Sequence, residues 1–337
     1  MRKNLAALFS VLIFAAVVLA ACGGGSSEGA SGESGDSEDT TVLRLAENQP
    51  EDYPTTIGAK KFAELVEKKT DGRYKVKVYA GGQLGEEKSV IEQVQLGSID
   101  LARVNAVPLA EFSEEIGVLS MPFLFENEKQ KWKKLNGEAG QELLGTLDGS
   151  NLVGLAFYDS GERKFYNSVR PIKTVEDMKG LKLRVQNSEI AIDVVEALGA
   201  SATPMEYGEV YSAMQTGVID GGENNFPSYY TANHYEVAKY FTNLGYQGVP
   251  EVLMASQSLW DKLSKEDKKA FREAALESVK VQREAWKDLV EESKAKVKKA
   301  GSKIIEVKDP SKWREAVQPV YDKYGDKYGK WIDKLTK

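Results

Sequence analysis

The chain has 337 residues, with 45 lysines and arginines against 51 aspartates and glutamates and a formal net charge of −6. That length allows two domains with cores of their own, and the acidic balance argues against nucleic acid, whose phosphates need a basic surface. A single cysteine rules out an internal disulfide.

Arg2 and Lys3 open the chain, and residues 5–21 form an apolar run that is short for a membrane-spanning helix and ends in small residues. This is the pattern of an export signal, placed at residues 1–21. Residues 19–22, "LAAC", resemble the lipobox of bacterial lipoproteins. That resemblance implies cleavage before Cys22 and a diacylglyceryl group on its sulfur; the alternative is an incidental cysteine in an ordinary signal peptide. Residues 22–40 hold Gly, Ser and acidic residues with almost nothing apolar. Such a stretch buries too little surface to offset its ordering entropy and reads as a flexible tether. The mature body then starts near Thr41, outside the cytoplasm and anchored to the cell membrane by lipid. No later apolar run is long enough to cross a bilayer, so any transmembrane work falls to a partner.

"TVLRLAE" (41–47) predicts a strand, and "TTIGAKKFAELVEKKTDGR" (55–73) an amphipathic helix burying Ile57, Ala59, Phe62, Ala63, Leu65 and Val66, stopped by Asp71-Gly72. "YKVKVYA" (74–80) alternates as a strand, 86–97 is a helix closed by Gly97, and "IDLARVNAV" (99–107) is the next strand. This β-α-β-α-β order predicts a mostly parallel sheet faced by helices. A helical stretch near 127–147 precedes strands at 151–159 and 164–168. Thr174 and Asp177 form a capping-box pattern over a short helix, 174–180. In "GLKLRVQNS" (180–188) Leu181, Leu183 and Val185 alternate with Lys182 and Arg184, and Asn187 and Ser188 offer caps for a helix to about 198. A helix at 209–217, a strand running into a turn at 218–225 and a strand at 250–256 follow. Ser264 with Asp267 opens a helical pattern to about Ala300, stopped by Gly301, with Phe271, Ala274, Ala275, Val279, Trp286, Leu289 and Val290 on one face. At about 1.5 Å per residue it exceeds roughly 50 Å, longer than one small domain; lacking a strict heptad, it predicts a helix lying across two lobes.

Catalytic patterns are sparse. His234 is the one histidine, in a helical, aromatic context that favours a structural role. A Ser-His-Asp or Cys-His set would have to use it, and zinc lacks ligands. "AGGQLGEEKS" fails the phosphate-loop pattern, because Glu87 precedes Lys88-Ser89. Asp220 and Glu223 form either a hydrolase-like carboxylate pair or ordinary turn chemistry. No cofactor or metal is implied.

Several ordered segments together carry a resemblance: "GGQLGEEKSVIEQVQLGSIDLARV", "MPFLF", "PIKTVEDMKGLKLRV", "LGASATPMEYGEVYSAMQTGVIDGGENN" and "HYEVAKY". From about residue 41 to the C-terminus the chain resembles the DctP-like solute-binding proteins of TRAP (tripartite ATP-independent periplasmic) transporters. The resemblance implies an α/β, two-lobed periplasmic-binding-protein-like fold with an interlobe cleft, crossing strands and a long helix spanning both lobes. On this reading lobe I is 41–160 plus 250–289 and lobe II is 161–249 plus 290–337. The partners it implies are a small organic acid and integral-membrane permease subunits.

The resemblance places Arg184 where the family binds the substrate carboxylate. A planar guanidinium suits that role, since it grips a carboxylate through two parallel hydrogen bonds. It places Arg163 at a second basic contact and Asn224 at a donor to the same carboxylate, with Asn225 beside it. Arg103, Glu47, Glu86, Asn48 and Asn105 are further cleft candidates, and Asn48, Glu86 and Asn105 also fit ordinary turn polarity. Tyr53, Phe157, Tyr158, Tyr207, Phe226 and Tyr229 are candidates to pack on the ligand. The segments at 99–112, 158–168 and 221–230 resemble members that bind hexuronates such as glucuronate or galacturonate. A C4-dicarboxylate, served by Arg163 and Arg103, is the alternative, and a lipid-anchored hydrolase is the alternative of another class. The segment "FTNLGYQGVPE" (241–251) departs from many relatives, which carry a His there, and bears on ligand detail and closure.

Overall fold

The computed structural model describes residues 40–337; the signal segment, Cys22 and nearly all of the tether lie outside the described residues. The first lobe grows from β1 (Thr41–Ala46), β2 (Tyr74–Tyr79), β3 (Leu101–Asn105) and β4 (Leu152–Tyr158). The helix Pro54–Lys69 joins β1 to β2. Its proline sits in the first turn, where no intrahelical N–H is needed. Asp71 (φ 49°) and Gly72 (φ 81°) then turn the chain back; the left-handed region suits glycine. Ala59, Phe62, Leu65 and Val66 are buried as expected, while Ile57 and Ala63 are half-buried.

The second lobe holds β5 (Arg163–Asn167), β6 (Lys182–Val185), β7 (Ser201–Pro204), β8 (Gly221–Asn224) and β9 (Tyr240–Gln247). The chain then returns: β10 (Glu251–Ser256) enters the first sheet and β11 (Lys303–Glu306) the second. The strand orders are β2-β1-β3-β10-β4 and β11-β9-β5-β8-β6-β7. The expected parallel arrangement holds for β2, β1 and β3. Both sheets are nevertheless mixed, because β10 runs antiparallel between β3 and β4, and β5 antiparallel between β8 and β9. The antiparallel strands are those entering directly from the other lobe.

Two strand-to-strand links therefore cross between lobes, 159–162 and 248–250, and Ser160 Oγ ties them by donating to the Val249 carbonyl at 2.6 Å. The helix Lys265–Lys299, 35 residues and about 52 Å long, is the third connection. Ser264 caps it, accepting the Asp267 N–H at 3.0 Å. Its first half buries Phe271, Ala274, Ala275 and Val279 against the Pro54–Lys69 helix and β4. Its second half packs on the helix Phe226–Thr231, with Val297 in the second-lobe core and Leu289 and Val290 half-buried. The C-terminal helix Gln318–Thr336 lies against Glu114–Ser120 and Glu128–Leu135 on one side and Glu189–Ala197 on the other.

Three local expectations change. The strand over 99–107 ends at Asn105, whose Oδ1 accepts the Val107 N–H at 3.0 Å and starts the short helix Ala106–Leu109. The strand at 218–225 is shortened to β8, and Asn225 leads into a helix rather than a turn, its Oδ1 taking the Ser228 N–H at 2.7 Å. Ser188 stands at the N-cap of the helix Glu189–Ala197 but accepts no backbone N–H, and Asn187 instead donates to Glu206 at 2.7 Å.

Candidate functional site

Each sheet brings polar residues to its edge at the interlobe cleft. Parallel strands end there, and turns after their carboxyl ends are where open α/β sheets take ligands. From the first lobe, β1 runs into Glu47, Asn48 and Gln49, β3 carries Arg103 and Asn105, and β10 begins at Glu251. The antiparallel pairing of Glu251 with Asn105 puts the last two side by side. From the second lobe come Arg163 at the start of β5, Arg184 near the end of β6, and Asn224 at the end of β8 followed by Asn225. Arg184 pairs in register with Gly222. A Cβ there would lie 3.2 Å from the Tyr166 hydroxyl and 3.5 Å from the Arg184 Cβ, so the glycine leaves the arginine its room.

These groups surround a narrow cavity between the lobes. Of the residues expected from sequence, Asn48, Arg103, Asn105, Arg163, Arg184, Asn224 and Asn225 line it. Tyr53 and Tyr207 line it too. Tyr53 bridges the lobes, its hydroxyl 2.8 Å from Ser228 Oγ.

The three arginines are all buried, between 2 and 6% exposed, and their partners differ. Arg103 binds Glu47 through Nε at 2.9 Å and through Nη2, Glu251 at 2.6 Å, Glu87 at 3.3 Å, and the Asn48 amide oxygen. Arg163 forks onto the Glu223 carboxylate, with Nη2–Oε1 at 2.8 Å, and also donates to the Glu223 carbonyl at 2.9 Å. Arg184 has only the Met205 carbonyl, at 2.9 Å from Nε; among the described residues no carboxylate lies within ion-pairing distance of it. Burial holds its pKa below the usual guanidinium value, with Glu223 opposing that shift. A buried cation without a counter-ion is costly, and an anionic ligand is what removes the cost.

Other cavity-facing groups are also unsatisfied. The amide oxygens of Gln49 and Gln186 are buried without a hydrogen-bond partner among the described residues, and both residues line the cavity. Hydroxyl donors would satisfy them.

Six expected contacts fall elsewhere. Tyr229 lies fully buried in the second-lobe core, its hydroxyl donating to the Ala238 carbonyl at 2.5 Å beside Ser302 Oγ; it does not reach the cavity. Glu47 stands behind Arg103, occupied by that guanidinium and by the Gln49 N–H. Glu86 sits at the rim against Gly208 of the opposite lobe, and burial, then Glu206, raises its carboxyl above the ordinary range. Phe157, Tyr158 and Phe226 belong to hydrophobic cores; the Tyr158 hydroxyl meets Ser278 Oγ of the long helix at 2.6 Å. His234 is buried with Nδ1 2.8 Å from the Tyr166 hydroxyl, its pKa lowered to about 3 by burial and by Arg184. Asp220 and Glu223 do not act as a pair: Asp220 accepts the Lys182 N–H while Glu223 is held by Arg163.

Sequence reasoning missed Gln49, Glu87, Gln186, Ser228 and Glu251 as cavity residues. Gln186, two residues past Arg184, shares its strand face by the period-two rule and was legible. Glu251 was not, because only long-range strand pairing brings it to Asn105. A larger groove, about 570 Å3, runs past Phe226, Trp286, Lys287 and Glu291; its charged side chains at 287 and 291 are exposed and already solvated.

A family model described as "DctP: Bacterial extracellular solute-binding protein, family 7" matches residues 45–327. The chain belongs to that family. A solute-binding protein of Chromohalobacter salexigens is 40% identical over 275 residues, covering 82% of each chain. Among solved structures, a TRAP periplasmic solute-binding protein from Bradyrhizobium sp. BTAi1, in complex with D-galacturonate, is 39% identical with a TM-score of 0.86, covering 88% of this chain and 99% of that one. One from Chromohalobacter salexigens, with bound D-glucuronate, is 38% identical with a TM-score of 0.84, covering 87% of this chain and 97% of that one. The two-lobed α/β fold of family 7 is thus the fold of this chain. No helix among the described residues is long and apolar enough to cross a membrane.

Proposed function

We propose that this family-7 protein is the extracytoplasmic receptor of a TRAP-type secondary transporter, capturing a hexuronate such as D-glucuronate or D-galacturonate and handing it to membrane permease subunits. Arg184 is the carboxylate clamp. The observation that carries this reading is the contrast among the buried arginines: Arg103 and Arg163 are neutralised by protein carboxylates, and Arg184 is not. Asn224, Asn225, Asn48 and Asn105 supply polar contacts around the ligand, and Arg163 and Arg103 hold the carboxylates that shape its walls. The same contrast disfavours a C4-dicarboxylate, whose second charged end would need a second uncommitted cation. The orphaned amide oxygens of Gln49 and Gln186 favour a ligand rich in hydroxyls. The uronates named for two similar structures agree with one carboxylate plus hydroxyls.

The lobes meet at the crossings 159–162 and 248–250, which supports limits near 160/161 and 249/250. No catalysis is assigned to the cleft, whose Glu47, Glu223 and Glu251 are held by arginines. The lipobox reading adds a lipid anchor at Cys22.

A thermal-shift screen tests the ligand class. D-glucuronate and D-galacturonate are expected to raise the melting temperature, by the equivalent of about 2.7 kcal/mol at a hundredfold excess over Kd. Stabilisation by neutral sugars or amino acids alone would refute the acid reading, and stabilisation by succinate alone would move it to dicarboxylates.

A further inference from the structure

Three carboxylates converge on one guanidinium in the first-lobe wall: Glu47, Glu87 and Glu251 all bond Arg103. Counting the whole cleft, the carboxylates of Glu47, Glu87, Glu223 and Glu251 face the guanidiniums of Arg103, Arg163 and Arg184. Fully ionised, the cleft holds one excess negative charge before any ligand arrives, and an organic acid seated on Arg184 adds another. Like charges this close and this dry do not all stay ionised; such a group keeps a proton.

The hydrogen bonds say which group. Both oxygens of Glu47 are used, by Arg103 and by the Gln49 N–H. Both oxygens of Glu251 are used, by Arg103 at 2.6 Å and by Asn105 Nδ2 at 2.8 Å. Glu87 engages only Oε1, taking the Asn105 N–H at 2.8 Å and a long contact to Arg103 at 3.3 Å. Its Oε2 has no partner among the described residues, and the side chain lines the cavity that Arg184 enters. Arg184, 4% exposed and without a counter-ion among the described residues, independently marks that cavity as a ligand site.

We propose that Glu87 enters the bound state as a neutral carboxylic acid whose Oε2–H donates to an oxygen of the captured acid, so that ligand and one proton are bound together. This rests on the organic-acid reading above. The proton comes from solvent, and no covalent bond other than the carboxyl O–H is formed. The charged groups facing Glu87 are Arg103 from β3, Glu251 from β10, Glu47 from the end of β1, Glu86 beside it, and Arg184 across the cleft. Burial, and then Glu251, push the Glu87 carboxyl up to about 8, with Arg184 opposing. A ligand carboxylate on Arg184 cancels that opposition, so binding tightens the hold on the proton.

Isothermal titration of the full chain with D-glucuronate, and in parallel with succinate, between about pH 6.5 and 9.5 in buffers of different ionisation heat reads the coupling directly. The expected result is uptake of up to about half a proton per ligand near pH 8, approaching one near pH 9, with Kd rising up to about tenfold per pH unit above pH 8. In Glu87→Gln the proton uptake disappears and Kd, whatever its value, no longer varies with pH. Binding without proton uptake by the wild-type chain at about pH 8 and above, or an unchanged pH slope in Glu87→Gln, overturns the inference while leaving the acid reading intact. If neither acid binds, the acid reading fails and the donor role fails with it. A 13C NMR titration of the glutamate carboxyl carbons in the ligand-free wild-type chain then judges the proton alone: a midpoint near 8 supports retention, and one in the ordinary range of about 4–5 overturns it.

Discussion

Arg184 and Arg163 are both buried in one cleft, yet their removal should have opposite consequences for the empty protein. Arg184→Ala deletes a desolvated cation that no carboxylate pairs with, so urea unfolding of the ligand-free chain should show no loss of stability. Arg163→Ala strands the Glu223 carboxylate, 2% exposed, and is expected to cost about 3–5 kcal/mol. For ligand the order reverses. Arg184 would make two charge-assisted hydrogen bonds, each contributing about 1.5–3 kcal/mol, so Arg184→Ala should weaken D-glucuronate binding by roughly a hundredfold or more in calorimetry. Binding within a few-fold of wild type would remove the clamp. Two other groups set the pH response of the empty chain. The Glu87 carboxyl is raised to about 8, so its contribution is complete below its unfolded value of 4.5 and is lost as pH rises towards 8. His234 is lowered to about 3, so its contribution is present above its unfolded value of 6.5 and is lost as pH falls towards 3. Melting temperature should therefore fall on both sides of mildly acidic pH. Glu87→Gln should flatten the alkaline side alone; an unchanged alkaline limb would contradict the carboxyl assignment.

At the scale of elements, the long helix does more than cover two lobes. Gln282 reaches the first crossing and makes two bonds with Asp159: its Oε1 accepts the backbone N–H and its Nε2 donates to the carbonyl, each at 2.8 Å. Ser278 holds Tyr158, and Gly58 of the Pro54–Lys69 helix comes close enough that an added Cβ would lie 2.8 Å from the Gln282 Cβ. The crossing needs this partner because Asp159 has left β4 and not yet reached β5, so its backbone groups have no ladder. Gln282→Leu keeps the approximate volume but orphans one donor and one acceptor, each costing about 1–3 kcal/mol. Chemical denaturation should show a loss of that order; a change under about 0.5 kcal/mol would mean water or a shifted side chain replaces the amide.

At the scale of the whole molecule, the cleft joins residues from two sheets that the crossings and the long helix hold side by side, and a few direct contacts span it. Tyr53 to Ser228 and Glu86 against Gly208 are such contacts. A ligand that touches both walls favours the closed arrangement by its differential affinity for it. Arg184 and Gln186 from one lobe and Gln49 from the other are placed to provide that difference. On the proposed lipobox reading, a lipid on Cys22 would hold the protein at the membrane. Replacing Cys22 with Ser in the exporting cell should move the protein from the membrane fraction to the soluble one; persistent membrane association would sink the lipobox reading.

The first strands and helices, the long helix with its Ser264 cap, and the arginine at the end of "LKLRV" were legible in the sequence, because periodicity, capping and glycine stops act over a few neighbouring residues; the strands Ser201–Pro204, Tyr240–Gln247 and Lys303–Glu306 and the C-terminal helix were not read. Its longer motifs also sufficed to place the chain in its family. What sequence could not show is which charges cancel. Glu251 joins Arg103 only because β10 returns antiparallel beside β3, and Glu223 takes Arg163 only because β5 pairs with β8. Tyr229, legible as an aromatic near the motif, turned inward to the core by the same logic. Coulomb energy and desolvation depend on distances across the fold, so the tertiary structure alone decided that Arg184, of the three buried cleft arginines, is the one with no carboxylate among the described residues.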